Sequence, residues 1–320
     1  MTKRDLLPVW GRVLQGTRPF LSLELTKECP LHCPGCYAYS PGHLGDGTVL
    51  RQLSDFRGRE LVSRTLDLVR RLRPVHISIV GGEPLVRYRE LTEILPRLAE
   101  MRIEVQLVTS AVRPIPADWA RLTNLHLAVS VDGLQPEHDR RRAPATYPRI
   151  LQHIAGHRIR VHCTVTRQMA HRAGYLAEFA RYWSARPEVL KIWFSLYTPQ
   201  DGEISEERLR PEDRDQVIRD LAALTRSFPK VEAPQAVLRG YARPPRSPEE
   251  CIFAQLTTCV SADLESVLTP CQLGGSPVCS ECGCLASAAM TSVGRRRLAG
   301  FIRVSDILDV SRKIGSLAYA

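Results

Sequence analysis

The sequence predicts an α/β protein: a partial (β/α)6 barrel followed by a small Cys-rich C-terminal extension. Three observations point there. Strand-like and helix-like stretches alternate about six times between residues 20 and 228. The residues with distinctive chemistry fall where strands end, as in barrels whose sites gather at the carboxyl ends of their strands. Beyond residue 228 the periodicity gives way first to proline and then to cysteine.

Leu21, Leu23 and Leu25 open a short strand, and residues 56–72 place Leu61, Leu66, Val69 and Leu72 at helical spacing. VHISIV (75–80) reads as a buried strand that stops at Gly81-Gly82. A helix over 88–100, a strand over 103–109 and a strand over 125–131 follow. The pattern continues with a helix (147–157), a strand (160–165), a helix (173–183), a sixth strand (189–196) and a helix (210–228). Strand–helix repetition of this kind implies parallel strands joined by right-handed crossovers. Pro229, Pro234, Pro244, Pro245 and Pro248 mark residues 229–249 as a linker. The expected divisions are therefore an N-terminal segment (1–18), a core (19–228), the linker (229–249) and a Cys-rich region (250–320), whose fold depends on metal.

The 320 residues are 44% hydrophobic and 24% charged, an ordinary globular mix that excludes collagen-like and wholly disordered chains. No run approaches the ~20 apolar residues of a membrane span, and residues 1–20 lack the apolar stretch of a secretory signal, so a cytoplasmic protein is expected. The net charge is +10, carried almost wholly by arginine. Scattered along helices, these arginines read as a solvated face, and without a basic stripe interleaved with aromatics no nucleic-acid partner is expected.

The ten cysteines are clustered. Cys29, Cys33 and Cys36 lie within eight residues, and Cys251, Cys259, Cys271, Cys279, Cys282 and Cys284 within thirty-four, which leaves only Cys163, a small buried strand residue, alone. Clustered thiols without a secretory signal point to metal or redox chemistry over disulfides. The first set has C-x3-C-x2-C spacing after a strand. A zinc site normally takes four ligands. Three thiolates instead hold three irons of a [4Fe-4S] cube and leave one iron for an outside ligand, while a zinc site would have to borrow a residue such as His32.

Cys29, Cys33 and Cys36 resemble the cluster motif of the radical S-adenosylmethionine (SAM) superfamily. Gly81-Gly82-Glu83-Pro84 resembles that superfamily's GGE motif, and Ser130-Val131-Asp132-Gly133 with His138-Asp139 and Arg142 resembles a stretch common in members with an auxiliary-cluster domain. The resemblance covers about residues 19–228. It implies that Cys29, Cys33 and Cys36 ligate a [4Fe-4S] cluster and that SAM's amino and carboxylate groups occupy the fourth iron. It further implies that Gly81, Gly82, Glu83 and Pro84 receive the amino group, Ser130 faces the ribose and Arg142 pairs with the carboxylate. The alternatives are a turn-forming Asp132 and a surface Arg142. Many members carry an aromatic residue just before the third cysteine; here that position is Gly35, and the Cys-Pro-Gly-Cys loop is similar to that of the adenosyl-hopene-forming radical SAM enzymes.

In the second set, residues 263–271 read as a hairpin delivering Cys271, and Cys279-Ser-Glu-Cys282-Gly-Cys284 as a tight knuckle. The spacing alone fits zinc or iron–sulfur. The region resembles SPASM/twitch auxiliary domains, although Ser266 stands where their glycine is expected and the downstream pattern is too short for two clusters. One auxiliary iron–sulfur cluster is expected, on Cys251, Cys271, Cys279 and Cys282, with Cys259 and Cys284 as competing ligands. The resemblance implies reductive cleavage of SAM to a 5′-deoxyadenosyl radical, an electron donor such as flavodoxin or ferredoxin, and a peptide or a lipid or other small-molecule substrate. The competing reading is a zinc-stabilised binding module on a degenerate barrel.

Overall fold

The computed structural model describes residues 6–40, 42–45, 47–295, 297–298 and 302–318. The start of the N-terminal segment (residues 1–5), and Arg296 and Phe301 in the tail, lie outside them. The main sheet contains β1 (Phe20–Glu24), β2 (His76–Val80), β3 (Glu104–Thr109), β4 (Leu125–Ser130), β5 (Ile159–Val165), β6 (Val189–Leu196) and β7 (Thr257–Val260). All pairings are parallel, in the order β6-β5-β4-β3-β2-β1-β7. The helices are α1 (Leu6–Leu14), α2 (Gly58–Leu72), α3 (Tyr88–Glu100), α4 (Glu137–Arg142), α5 (Tyr147–His153), α6 (Arg167–Ala170), α7 (Tyr175–Ser184), α8 (Pro211–Ser227), α9 (Gln235–Ala242), α10 (Ile252–Leu256), α11 (Leu285–Gly294) and α12 (Val304–Ala318). This is the α/β partial barrel that the alternation predicts, with a Cys-rich region after it.

Strand alternation decides what faces what. Along β5, Ile159, Val161, Cys163 and Val165 are buried against the helices, while Arg160, His162 and Thr164 between them are only half-buried. β2 and β3 repeat the pattern, with Ile77, Ile79, Val105 and Leu107 on the helix side and Ser78 and Gln106 opposite. The helix side is matched by Leu61, Leu66 and Val69 of α2 and by Leu91, Ile94, Leu95 and Leu98 of α3. Each fully buried aliphatic side chain contributes roughly 1.5–3 kcal/mol relative to exposure, so the outer layer fixes the curvature. The inner wall is mixed, with Ser22, Ser78, Gln106, Ser130 and His162 on the same face as Val80, Val108, Ala128 and Trp193.

The Cys-rich region meets both ends of the curved sheet. On one side β7 lies parallel to β1, with Thr257 opposite Phe20 and Cys259 opposite Ser22. On the other, the Leu196 amide of β6 donates to the Gly283 carbonyl at 2.9 Å, and the Gly283 amide to Thr198 Oγ1 at 2.9 Å. The stretch expected as a linker contains α9, whose Val237, Leu238 and Tyr241 are buried; the Tyr241 hydroxyl donates to the Phe194 carbonyl of β6. Val9 and Val13 of α1, Leu256 of α10 and Leu308 of α12 pack with Phe20, which starts β1. The tail thereby covers the amino end of the barrel.

Candidate functional site

The first thiol loop leaves the carboxyl end of β1. Its entry is pinned: Thr26 Oγ1 donates to Asp55 at 3.1 Å, and the buried Arg87 bridges Glu28 at 3.1 Å and Asp55 at 2.5 Å. Cys29, Cys33 and Cys36 follow, all partly exposed and none in a disulfide. Burial raises all three thiol pKa values, Cys29 to about 11, with Glu83 and the neighbouring thiols adding to it. Arg142 acts against the rise at Cys33 and Cys36. Thiols in such mutual reach repel as thiolates until a cationic centre is placed among them. Among the described residues, no three His, Cys, Asp or Glu side chains are gathered as for a single metal ion. An open pocket of about 420 Å³ lies beside Cys29 and Pro30, lined also by Lys27, Glu28, Arg51 and Val86.

β2 ends in Gly81-Gly82, both at positive φ (78° and 42°). A Cβ at Gly81 would stand 2.3 Å from the Glu24 Cβ, and one at Gly82 2.3 Å from the Glu28 carbonyl oxygen. Only glycine lets this turn press against the thiol loop. Glu83 next to it is buried, and its carboxylate accepts from the Leu85 and Ser110 amides at 3.0 and 2.7 Å and from the Thr109 and Ser110 hydroxyls. Those four donors fill a carboxylate's roughly four acceptor positions. Glu83 thus ties the ends of β2 and β3 together, and Pro84 starts the turn that leads into α3.

Ser130 ends β4 opposite His162 of β5. Asp132 is buried and accepts from Arg142 Nε at 2.8 Å, Arg141 Nε at 3.4 Å and the Thr164 amide at 3.2 Å. Burial alone would raise the Asp132 carboxyl, but the two guanidiniums outweigh it and hold the group well below the usual carboxylate range. His138 accepts the Asp132 amide on Nδ1 at 3.0 Å, so its Nε2–H donates to the Ala145 carbonyl at 2.9 Å. Burial and the nearby Arg142 keep this ring neutral, with its pKa near 4. Asp139 accepts the Tyr147 amide at 2.8 Å. The Ser-x-Asp-Gly and His-Asp-x-x-Arg residues therefore form one folded unit whose Arg142 charge is felt at Cys33 and Cys36.

The second thiol set surrounds a small cavity of about 20 Å³ lined by Cys251, Cys271, Cys279, Cys282 and Cys284 together with Pro248, Phe253, Leu273 and Ser287. No charged side chain lines it. Burial raises Cys271 to about 12 and Cys279 to about 11, each with neighbouring thiols adding to the rise. Five soft donors around an apolar space suit a thiolate-bound metal centre. All four expected ligands line this pocket, as does Cys284, but among the described residues no three of them are gathered as for a single metal ion. Cys259 does not line the pocket; it sits in β7, fully buried.

Other residues at the site carry no local sequence signal. Arg141 reaches across to the Pro34 carbonyl of the thiol loop at 3.0 Å while gripping Glu207, and Tyr197 and Glu207 stand over Gly35. His162 Nε2 and the Ser195 hydroxyl of β6 share a hydrogen bond at 2.8 Å. These contacts join residues 33 to 107 positions apart, beyond any short motif.

Fold and site define a partial-barrel protein that presents clustered thiols beyond its strands. Residues 23–166 match the family model described as Radical SAM superfamily. A 90-residue stretch is 32% identical to the PqqA peptide cyclase of Rhodopseudomonas palustris, covering 28% of this chain and 22% of that protein. Streptococcus suis SuiB bound to the precursor peptide SuiA superposes with a TM-score of 0.59 over 99% of this chain and 70% of that one, at 14% identity. Native anSMEcpe with bound AdoMet superposes with a TM-score of 0.57 over 79% of this chain and 75% of that one, at 18% identity. Both structural likenesses concern the fold. No helix among the described residues is long and apolar enough to cross a membrane.

Proposed function

We propose that this chain is an enzyme that reductively cleaves SAM and uses the resulting radical to modify a peptide. The observation that carries the reading is the meeting of three elements at one end of the barrel: the Cys29–Cys36 loop, the Gly81–Pro84 turn and the Asp132–Arg142 unit. Cys29, Cys33 and Cys36 would hold a [4Fe-4S] cluster. When bound and reduced, such a cluster supplies one electron to the SAM sulfonium, and the C5′–S bond breaks to give methionine and a 5′-deoxyadenosyl radical.

The chain's own residues bind and orient. Gly81 and Gly82 bring main chain to the loop with no side chain between, and Glu83 and Pro84 hold that shelf for the amino group. Ser130 on the inner wall faces the ribose. Arg142 offers positive charge to a carboxylate, although it must share its guanidinium with Asp132. A flavodoxin or ferredoxin supplies the electron. Cys251, Cys271, Cys279 and Cys282 would hold one auxiliary iron–sulfur cluster, as in SPASM/twitch regions.

A peptide fits the inner wall better than an isoprenoid lipid does. Ser22, Ser78, Gln106, Ser130, His162 and Thr164 stand on it beside Val80, Val108, Ala128 and Trp193, and hydrogen-bonding groups left unpaired by an apolar guest are costly. The PqqA peptide cyclase and the SuiA complex are peptide systems by name, which supports the same choice. The test is anaerobic reconstitution with iron and sulfide, then SAM and dithionite. The expected products are 5′-deoxyadenosine and methionine in equal amounts, abolished by alanine at 29, 33 or 36. Undiminished deoxyadenosine in those variants overturns the reading.

A further inference from the structure

His43 lies seven residues beyond Cys36 and has no exposed side-chain surface. Its Nε2 is 2.8 Å from Glu24 Oε1, and its Nδ1 is 3.1 Å from the Leu273 carbonyl. A carbonyl only accepts, so Nδ1 carries a proton and donates to it. The other oxygen of Glu24, itself buried at the end of β1, accepts the Ser261 hydroxyl at 2.5 Å. The contact extends to the backbone: the Gly275 amide donates to the His43 carbonyl at 3.2 Å. A Cβ at Gly274, where φ is +63°, would stand 1.9 Å from that same oxygen.

One imidazole therefore joins three segments: the carboxyl end of β1, the run after the first thiol loop and the turn after Cys271. Ser261 and Leu273 each lie two residues beyond a cysteine of the second set, Cys259 and Cys271. Apolar residues of similar volume would fill this space without the desolvation cost of a buried polar pair; what a buried pair adds in the best-attested cases is registry. Directional bonds at both ring nitrogens fix where the Leu273–Gly275 turn sits and, through it, where Cys271 points.

We propose that His43, held by Glu24, is a positioning residue shared by the two thiol sites, and that the second site assembles its metal centre only when the ring makes both bonds. The proposal rests on the reading that the second thiol pocket binds metal.

The experiment uses the full chain in a Cys29→Ala, Cys33→Ala, Cys36→Ala background, so that iron reports the second site alone. Samples are reconstituted anaerobically with iron and sulfide, challenged with a chelator and examined by electron paramagnetic resonance after dithionite reduction. His43→Leu should weaken iron retention about 10-fold, the lower end of the range for residues that orient metal ligands, and His43→Gln should recover part of it. Glu24→Gln, which keeps shape, should shift the resonance of the reduced centre. Full retention and an unchanged spectrum in His43→Leu overturn the proposal. Should His43→Leu fail to fold by circular dichroism, Glu24→Gln decides: an unshifted resonance overturns it. Zinc in place of iron, with the same dependence on His43, supports the positioning role while overturning the iron–sulfur assignment. No metal at all in the background with His43 intact overturns the metal reading of the pocket, and this proposal with it.

Discussion

Arg142 Nε donates to Asp132 Oδ2 across 2.8 Å, and the charge of the same guanidinium is felt at the thiols of Cys33 and Cys36. The Asp132 side chain is only 5% exposed. Removing it strands Arg142, while Arg141 keeps Glu207 and the Pro34 carbonyl, and breaking a buried pair from one side costs about 3–5 kcal/mol. Asp132→Asn should lower the urea midpoint accordingly. Because the folded-state carboxyl is held below its unfolded value, its stabilising contribution is full above about pH 4 and fades as acid is added towards the folded value. The difference between wild type and Asp132→Asn should therefore shrink in acid titrations below about pH 4, and a gap that widened there would contradict the ion-pair account.

Gly81→Ala forces a methyl group to 2.3 Å from the Glu24 side chain in a left-handed backbone. Overpacking and strain of this kind each cost about 1–3 kcal/mol. The expected outcome is a lower thermal midpoint together with lost SAM binding by equilibrium dialysis, since the same turn forms the proposed shelf. Alanine tolerated on both counts would mean that the turn can move away from β1.

The Tyr147 hydroxyl donates to the Gly133 carbonyl at 2.6 Å and accepts Trp183 Nε1–H at 3.1 Å, all of it buried. Tyr147→Phe leaves both partners unsatisfied and should destabilise by about 1–3 kcal/mol. Trp183 fluorescence reports the change directly. The variant connects packing to the site because Gly133 follows Asp132.

The second thiol set makes a chemical distinction. Cys282 lines the pocket and Cys259 does not. Cys282→Ala should lower the iron bound per chain, and Cys259→Ala should leave it unchanged when both are assayed after anaerobic reconstitution. Equal losses would move the metal centre towards β7.

What the sequence tells and what it withholds divide along range. The Leu21-Leu23-Leu25 alternation, the spacing of Leu61 to Leu72 and the six-residue run before Gly81 are local, and β1, α2 and β2 lie where those patterns put them. The three thiols beyond β1 and the glycines beyond β2 are visible for the same reason. The pairing of β7 with β1, 237 positions away at Phe20 and Thr257, leaves no periodic trace. Neither does the grip of Arg141 on Pro34 or of His43 on Leu273. Helix α9 lies between Pro234 and Pro244, and its eight residues are too few for periodicity to outweigh those prolines. Tertiary packing, not propensity, makes it.

The seating of β7 beside β1 ties the fate of the two halves together. A chain cut after Ser227 would strip β1 of its outer neighbour and leave a row of amides and carbonyls facing solvent. Such a bare border invites other chains to add to it. The cysteine-bearing half is thus also a guard against self-association, and a shortened version would have to be soluble without it.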